Sequence, residues 1–203
     1  MDDLTALPLH DAPLAFLDVE TTGLNPDWGD RVVEIAIVRA RGLSEVTRFA
    51  SLVNPRRRLS PEAMRVNGIT PSMVANAPIF SDLLDQLLPL LENVVLVCHT
   101  VPVDLRFLEA ELRKADAPIW DGVALDPLAF ARRQDWFRRN HLSAIARQLT
   151  IRATGAHRAL ADALTTQAIF RRFAGRLRRQ GRPLVADWVR LQGGHVWPSS
   201  SRH

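Results

Sequence analysis

A short apolar segment that ends in two carboxylates constrains the fold of this chain more than any other feature. Residues 14–20 read Leu-Ala-Phe-Leu-Asp-Val-Glu, and a loop containing Gly23 and Pro26 follows. An apolar run bounded by turn residues predicts a buried strand. Because residues two apart on a strand project from the same face, Asp18 and Glu20 would lie side by side. Such carboxylates repel each other and a cation relieves the repulsion, although a solvated sheet face would also explain the pair.

The rest of the chain predicts an alternation of strands and helices. With the first segment, β-branched and apolar runs predict strands at 14–20, 31–38, 45–53, 94–97 and 120–125. Apolar residues at helical spacing predict helices at 80–91, 102–115, 127–133, 142–149 and 158–177. Three strands followed by alternating helices and strands indicate an α/β fold with a mixed five-stranded sheet flanked by helices.

Composition restricts the class of protein. The chain has 203 residues, of which 47% are hydrophobic, enough for one sizeable core. Membrane spans need about 18 consecutive apolar residues, and the sequence contains no such run and no secretion signal at its start. The single cysteine, Cys98, excludes an internal disulfide framework. We therefore expect a soluble protein with no membrane association and a cytoplasmic location.

Positive charge is concentrated at the C-terminal end. The formal net charge is +4, and residues 171–203 contain eight Arg against Asp187 alone. This asymmetry predicts a main domain over residues 1–175 and an Arg-rich extension over 176–203. The extension fits a polyanionic partner, and an Arg-rich solvated helix is the alternative.

Three distant residues can join the first two carboxylates. Asp104 begins a predicted helix after a buried strand, and His157 and Asp162 lie near the start of another. On a continuous helix His157 and Asp162 would point about 140° apart, so they share a site only if His157 lies in the preceding loop. Residues 153–156, Ala-Thr-Gly-Ala, are suited to such a loop. We expect four carboxylates to converge, with the histidine at the rim.

Three segments resemble the exonuclease motifs of the DEDDh 3′-5′ exonucleases. They read Phe-Leu-Asp-Val-Glu-Thr-Thr-Gly at 16–23, Val-Cys-His-Thr-Val-Pro-Val-Asp-Leu-Arg-Phe-Leu at 97–108 and His-Arg-Ala-Leu-Ala-Asp-Ala at 157–163. The family includes the proofreading epsilon subunit of bacterial DNA polymerase III, ribonuclease T and oligoribonuclease. The resemblance extends from about Leu14 to Phe173.

The resemblance implies an RNase H-like fold and a two-metal-ion nuclease that releases nucleoside 5′-monophosphates from single-stranded 3′ ends, with DNA favoured over RNA. It implies two Mg²⁺ or Mn²⁺ ions held by Asp18, Glu20, Asp104 and Asp162, with His157 as the general base. These five residues form the implied catalytic set. It also implies substrate contacts by Thr21, Thr22, Gly23, Leu24 and His99. A polymerase or repair complex is the implied kind of partner, and the oligomeric state is left open.

The second motif departs from the family pattern His-Asn-Ala-x-Phe-Asp. Thr100 replaces the amide and Val103 replaces the aromatic ring, whereas Asp104 is retained. The alternatives are therefore a catalytically weak nucleic-acid-binding or polymerase-associated subunit, or an RNA-directed exoribonuclease. Two further features have open interpretations: Trp28 either stacks on a base or packs on the surface, and the Arg run 56–58 either contacts phosphates or is solvated.

Overall fold

A mixed five-stranded sheet lies at the centre of the protein. The computed structural model describes residues 3–153, 155 and 157–194. The strands are β1 (Pro13–Thr21), β2 (Val32–Arg41), β3 (Ser44–Leu52), β4 (Val95–Val97) and β5 (Ala124–Leu125), in the spatial order β3-β2-β1-β4-β5. The first three strands are antiparallel, and β4 and β5 run parallel to β1. The predicted fold class is confirmed.

Helices cover both faces of the sheet. They are α1 (Pro61–Asn67), α2 (Pro71–Val74), α3 (Leu84–Leu91), α4 (Val101–Lys114), α5 (Pro127–Arg133), α6 (Leu142–Gln148), α7 (Ala159–Arg179) and α8 (Val185–Gln192). The sequence pattern missed α1, α2 and α8. The segment predicted as a helix at 80–91 begins with a 3₁₀ turn, Phe80–Leu83, before α3.

The alternation of side chains along β1 divides the core in two. Leu14 and Phe16 pack with α7, where Phe170 makes an edge-to-face contact with Phe16 at 5.5 Å between ring centroids. Ala15 and Leu17 belong to the cluster on the opposite face, which contains the buried residues of α3 and α4. Because side chains alternate along a strand, Asp18 and Glu20 continue the face of Leu14 and Phe16, on the side of α7.

The C-terminal helices are part of the packed core. α7 continues through residue 179, and Trp188 of α8 is buried between Phe130 and Phe170, with ring centroids 4.5 and 4.6 Å away. Arg176 stacks on the ring of Trp136 at 3.9 Å. Residues 176–194 of the predicted extension thus pack against the domain. Residues 195–203 lie outside the described residues. The domain boundary after residue 175 stays a prediction.

Two side chains next to β4 and β5 also lie in the core. Cys98 is a buried free thiol directly after β4, and Trp120 is buried ahead of β5. Within the described ranges, no helix combines the length and the apolar character that crossing a membrane requires.

Candidate active site

The first carboxylates lie where β1 leaves the core. Residues 14–17 of β1 are fully buried, and the strand becomes partly accessible from Asp18 onward. Asp104 lies in the first turn of α4 and is only 6% exposed. Its Oδ1 accepts a hydrogen bond from the backbone N–H of Val19 at 3.3 Å, between the two strand carboxylates. This bond attaches the start of α4 to the end of β1.

α7 brings the remaining predicted residues to the same place. His157 precedes the helix, which begins at Ala159, so its predicted loop position is confirmed; Thr154 and Ala156 of that loop lie outside the described residues. His157 has a left-handed backbone, with φ of 61°, and its N–H donates to Oδ2 of Asp162 at 3.0 Å. Ligand atoms of Glu20, His157 and Asp162 lie within 4.8 Å of one another.

Burial and mutual repulsion raise the pKa of every carboxyl in this cluster. Burial, followed by the charges of Asp104, Asp162 and Glu20, holds the pKa of Asp18 well above its usual range. Burial is also the main cause for Glu20, whose pKa rises to about 7, and for Asp104, whose pKa rises to about 8. Burial likewise raises the pKa of Asp162. The four carboxyls therefore share one poorly solvated volume.

The donor set fits divalent cations that prefer oxygen. Buried carboxylates that repel one another are stabilised by a positive charge among them. Carboxylate oxygens with a nearby imidazole suit Mg²⁺ or Mn²⁺ better than soft metals, which select thiolates. Cys98, the only thiol of the chain, is buried at the end of β4 and also has a raised pKa, chiefly through burial. The residues thus fit the implied hard cations.

The sequence interpretation missed an ion pair beside the cluster. Glu34 of β2 is paired with Glu20 across the sheet and is buried. Its carboxylate accepts hydrogen bonds from Nη2 and Nε of Arg158 at 2.7 and 3.0 Å, and from the backbone N–H of Ala159 at 3.0 Å. Glu34 thus caps α7 and fixes the residue after His157. The acidic residue within the apolar run of β2 was a signal that could have singled out Glu34, although not its partner Arg158.

The last residue of β1 and the loop after it provide four predicted substrate contacts, Thr21 to Leu24. Thr22 is buried, and its hydroxyl bonds to Asp30 Oδ1 and to the N–H of Arg31, both at 3.0 Å. A Cβ on Gly23 would lie 2.3 Å from the Asp30 carboxylate, so a larger residue would displace that carboxylate from its bonds to Thr22 and Asn25. The hydroxyl of Thr21 bonds to the carbonyl of Gly23. Leu24, by contrast, is 91% exposed. The first three residues shape the loop, and Leu24 extends from it.

α1 supports the same strand end from the other side. The side chain of Asn67, the last residue of α1, is buried and donates to the carbonyl of Thr21 at 3.3 Å. A hydrogen bond from Asn67 to the Glu20 carboxylate favours its charged form and partly offsets the rise of its pKa. Asn67 therefore links α1 to the carboxylate-bearing end of β1.

The altered second motif has an unusual helix start. Thr100 occupies the N-cap position of α4, but among the described residues its side chain caps no backbone N–H. Asp126, from the start of α5, accepts from Val101 N–H at 3.1 Å instead. The ring of His99 is buried with Nε2 3.2 Å from the carbonyl of Asn140, and burial lowers the pKa of His99 to about 4, which keeps it neutral. Its predicted substrate contact stays a prediction.

Comparison with known proteins agrees with this architecture. An exonuclease family model, RNase T, matches residues 15–170. The chain is 31% identical over 182 residues to a PolC-type DNA polymerase III of Thermotoga maritima, covering 90% of this chain and 13% of that protein. It is also 31% identical over 180 residues to the 3′-5′ exonuclease DinG of Bacillus subtilis, covering 86% of this chain and 19% of that protein. The chain therefore spans less than a fifth of either relative.

A solved structure supports the same grouping. Exonuclease X in complex with 5′ overhanging duplex DNA superposes with a TM-score of 0.69 at 25% identity, covering 89% of this chain and 99% of that chain. Fold, motif order and family match coincide over the same residues. The chain belongs to the RNase T exonuclease family, as its resemblance to the DEDDh exonucleases implies.

Proposed function

We propose that this chain is a two-metal-ion 3′-5′ exonuclease that acts on single-stranded nucleic acid, with DNA favoured. The observation that carries the proposal is the convergence of Asp18, Glu20, Asp104 and Asp162, whose charges raise one another's pKa values, with His157 beside them. A binding module has no need for four desolvated carboxylates. The name of the relative DinG, a 3′-5′ exonuclease, supports the direction of attack.

The proposed reaction releases the terminal nucleoside 5′-monophosphate. Water attacks the phosphorus, and the 3′ oxygen of the preceding nucleotide leaves. Asp18, Glu20, Asp104 and Asp162 would hold two Mg²⁺ or Mn²⁺ ions. When bound, such ions lower the pKa of water and stabilise the charge on the leaving oxygen.

His157 is the proposed general base. It is exposed at the rim, beside Glu20 and Asp162, so water can reach it. The imidazole ring offers a basic nitrogen, which suits it to accept the proton of the attacking water. The backbone bond from His157 to Asp162 keeps the base and the carboxylate together. The ion pair between Arg158 and Glu34 fixes the start of α7 next to His157, and neither residue has a proposed contact with the substrate.

The loop after β1 would receive the terminal nucleotide. It begins after Thr21, the last residue of β1, and exposes Leu24 four residues beyond Glu20. We propose that Leu24 contacts the terminal base and that the rigid turn of Thr22 and Gly23 positions it. A polymerase or repair complex in the cytoplasm is the proposed setting.

A second candidate function follows from the altered second motif. Val103 is 49% exposed at the start of α4, where the family pattern has an aromatic ring. Loss of that ring favours a catalytically weak binding subunit, or a different polymer such as RNA. The retained bond between Asp104 and Val19 favours the enzyme.

A time course on matched 5′-labelled single-stranded DNA and RNA tests these functions. The reactions contain Mg²⁺ or Mn²⁺, with EDTA as the metal-free control. We expect a ladder that shortens from the 3′ end only with metal, and the faster polymer identifies the substrate class. Asp18→Ala should abolish the ladder, whereas Val46→Ala, on the exposed strand β3, should leave it unchanged. Absence of any ladder from folded wild-type protein would favour the binding subunit.

A further inference from the structure

A tryptophan stands in solvent in the loop that follows the carboxylates of β1. Trp28 ends a 3₁₀ turn, Pro26–Trp28, in the loop that leaves β1 after Glu20, and it is 83% exposed. The turn packs against α4, the helix that carries Asp104. Leu24 and Val103 are also exposed on these two elements. Exposed apolar side chains therefore lie both on the loop after β1, the strand that carries Glu20, and at the start of α4, which carries Asp104.

The turn that carries Trp28 is rigidly supported. The side chain of Asn25 caps it by accepting from the N–H of Asp27 at 3.0 Å, and Gly29 ends it with φ of 85°. Nη2 of Arg106, from α4, donates to Asn25 Oδ1 and to Asp27 Oδ2, both at 2.8 Å. The backbone of Trp28 is thus held by α4 while its indole remains in water.

Positive charge lies beside the same turn. Arg57 forms an ion pair with Asp30 at 3.4 Å, and its Nη1 lies next to Gly29, directly after Trp28. Its chain neighbours Arg56 and Arg58 are exposed. Proteins that bind single strands without sequence preference combine stacking aromatic rings with basic groups along the backbone path. The turn and the Arg run 56–58 provide both elements.

We propose that Trp28 stacks on a base upstream of the terminal nucleotide, while Arg56 and Arg58 contact phosphates of the same single strand. This inference rests on the proposed exonuclease function and adds a binding site outside the carboxylate cluster. Every base offers a flat face to an aromatic ring, so the site accepts any sequence and both DNA and RNA. It engages only oligonucleotides long enough to extend from the cluster to the turn.

Binding measurements on an oligothymidylate length series test the proposal. Fluorescence anisotropy with EDTA present reports the Kd without cleavage, for oligomers from about three to about twelve nucleotides. At the longest length, Trp28→Ala should raise the Kd by about 5- to 150-fold, the range measured for loss of one base–aromatic stack. Trp28→Phe should retain most of the affinity. Val46→Ala, which removes exposed apolar surface on β3, should match wild type at every length.

The length dependence separates this site from other roles of the tryptophan. The curves for wild type and Trp28→Ala should converge at the shortest oligomer, and Arg58→Ala should flatten the salt dependence at the longest. An equal loss at all lengths would make Trp28 part of the terminal pocket and overturn the proposal. Unchanged affinity at the longest length, or no binding by wild type at any length, would also overturn it and favour a protein partner for this surface.

Cleavage assays on the same variants distinguish failure of the proposed function. Suppose that Trp28→Ala loses affinity for long oligomers but wild type cleaves none of them with Mg²⁺ or Mn²⁺. The stacking site is then supported and the proposed exonuclease function is contradicted. Suppose instead that wild type cleaves, and that Trp28→Ala cleaves long and short substrates equally well with an unchanged Kd. The exonuclease function is then supported and the stacking site is contradicted.

Discussion

The two helices that carry proposed catalytic groups, α4 and α7, begin in very different surroundings. α4 starts inside the protein: Asp104 is buried, a strand N–H holds its carboxylate, and Asp126 caps the helix. α7 starts at the rim: His157 is exposed in a left-handed conformation, and the bound carboxylate of Glu34 holds the first turn.

This difference indicates a division of labour. A carboxylate that binds cations gains from fixed, poorly solvated surroundings, because they strengthen its interaction with positive charge. A general base must exchange protons with water and therefore needs an accessible position. Because the rim offers little packing, the segment around His157 depends on the ion pair between Glu34 and Arg158 for its position.

Removing the proposed general base should lower activity without lowering stability. His157→Ala should lower the rate of hydrolysis by about 10²- to 10⁴-fold, the usual contribution of a general base. Its melting temperature should stay near that of wild type, because the side chain is exposed and the backbone bond to Asp162 remains. Initial rates with Mg²⁺ and thermal melts by circular dichroism measure both, with Val46→Ala as the control. Full activity of His157→Ala in a contaminant-free preparation would remove it from the site.

The buried carboxyls of the cluster should make the stability of the metal-free protein depend on pH. The pKa is about 7 for Glu20 and about 8 for Asp104, whereas carboxyls of an unfolded chain titrate near 4. The folded protein therefore binds more protons than the unfolded chain between about pH 4 and 8, so its free energy of unfolding falls as the pH rises through that window.

Melting temperatures with EDTA at acidic, neutral and alkaline pH measure this fall. Asp104→Asn should reduce the slope, because the amide does not ionise. Mg²⁺ should stabilise wild type more at alkaline than at acidic pH, since protons compete with the cation for the same oxygens. A melting temperature that rises with pH in EDTA would contradict the raised pKa values.

The sequence predicted the buried side of the site better than the rim. Asp18 and Glu20 end the first apolar strand and Asp104 begins the helix after another, so periodicity places the first two at a strand end and the third at a helix start. The loop position of His157 followed from helix geometry. Glu34 was missed because a single acidic residue in an apolar strand gives no indication of its partner 124 positions away. α8 was missed because Trp188 becomes a core residue only through tertiary contacts with Phe130 and Phe170.

Breaking the ion pair at the rim should affect both stability and activity. Glu34→Ala leaves the guanidinium of Arg158 and the N–H of Ala159 without their acceptor, which should cost about 1–3 kcal/mol of unfolding free energy. Denaturant unfolding measures this cost, and activity should fall as the first turn of α7 loosens. Arg158→Lys should lose less stability but also lower kcat, because an ammonium cannot reproduce the two-point contact. Equal kcat for Arg158→Lys and wild type would exclude a positioning role.

The smallest effect concerns the cap of α4 and tests whether Thr100 weakens the second motif. Asp126→Ala removes the acceptor of Val101 N–H and of Ala129 N–H, at 3.1 and 2.8 Å, and should cost about 1–2 kcal/mol by denaturant unfolding. Thr100→Ala should leave the free energy of unfolding within about 0.5 kcal/mol of wild type, because Asp126 already caps the helix. Thr100→Asn, which restores the family residue, should then change the rate of hydrolysis without changing stability. If Thr100→Ala destabilises as much as Asp126→Ala, the helix that carries Asp104 depends on its own N-cap residue, and the contrast between a buried, externally capped α4 and an ion-paired α7 is wrong.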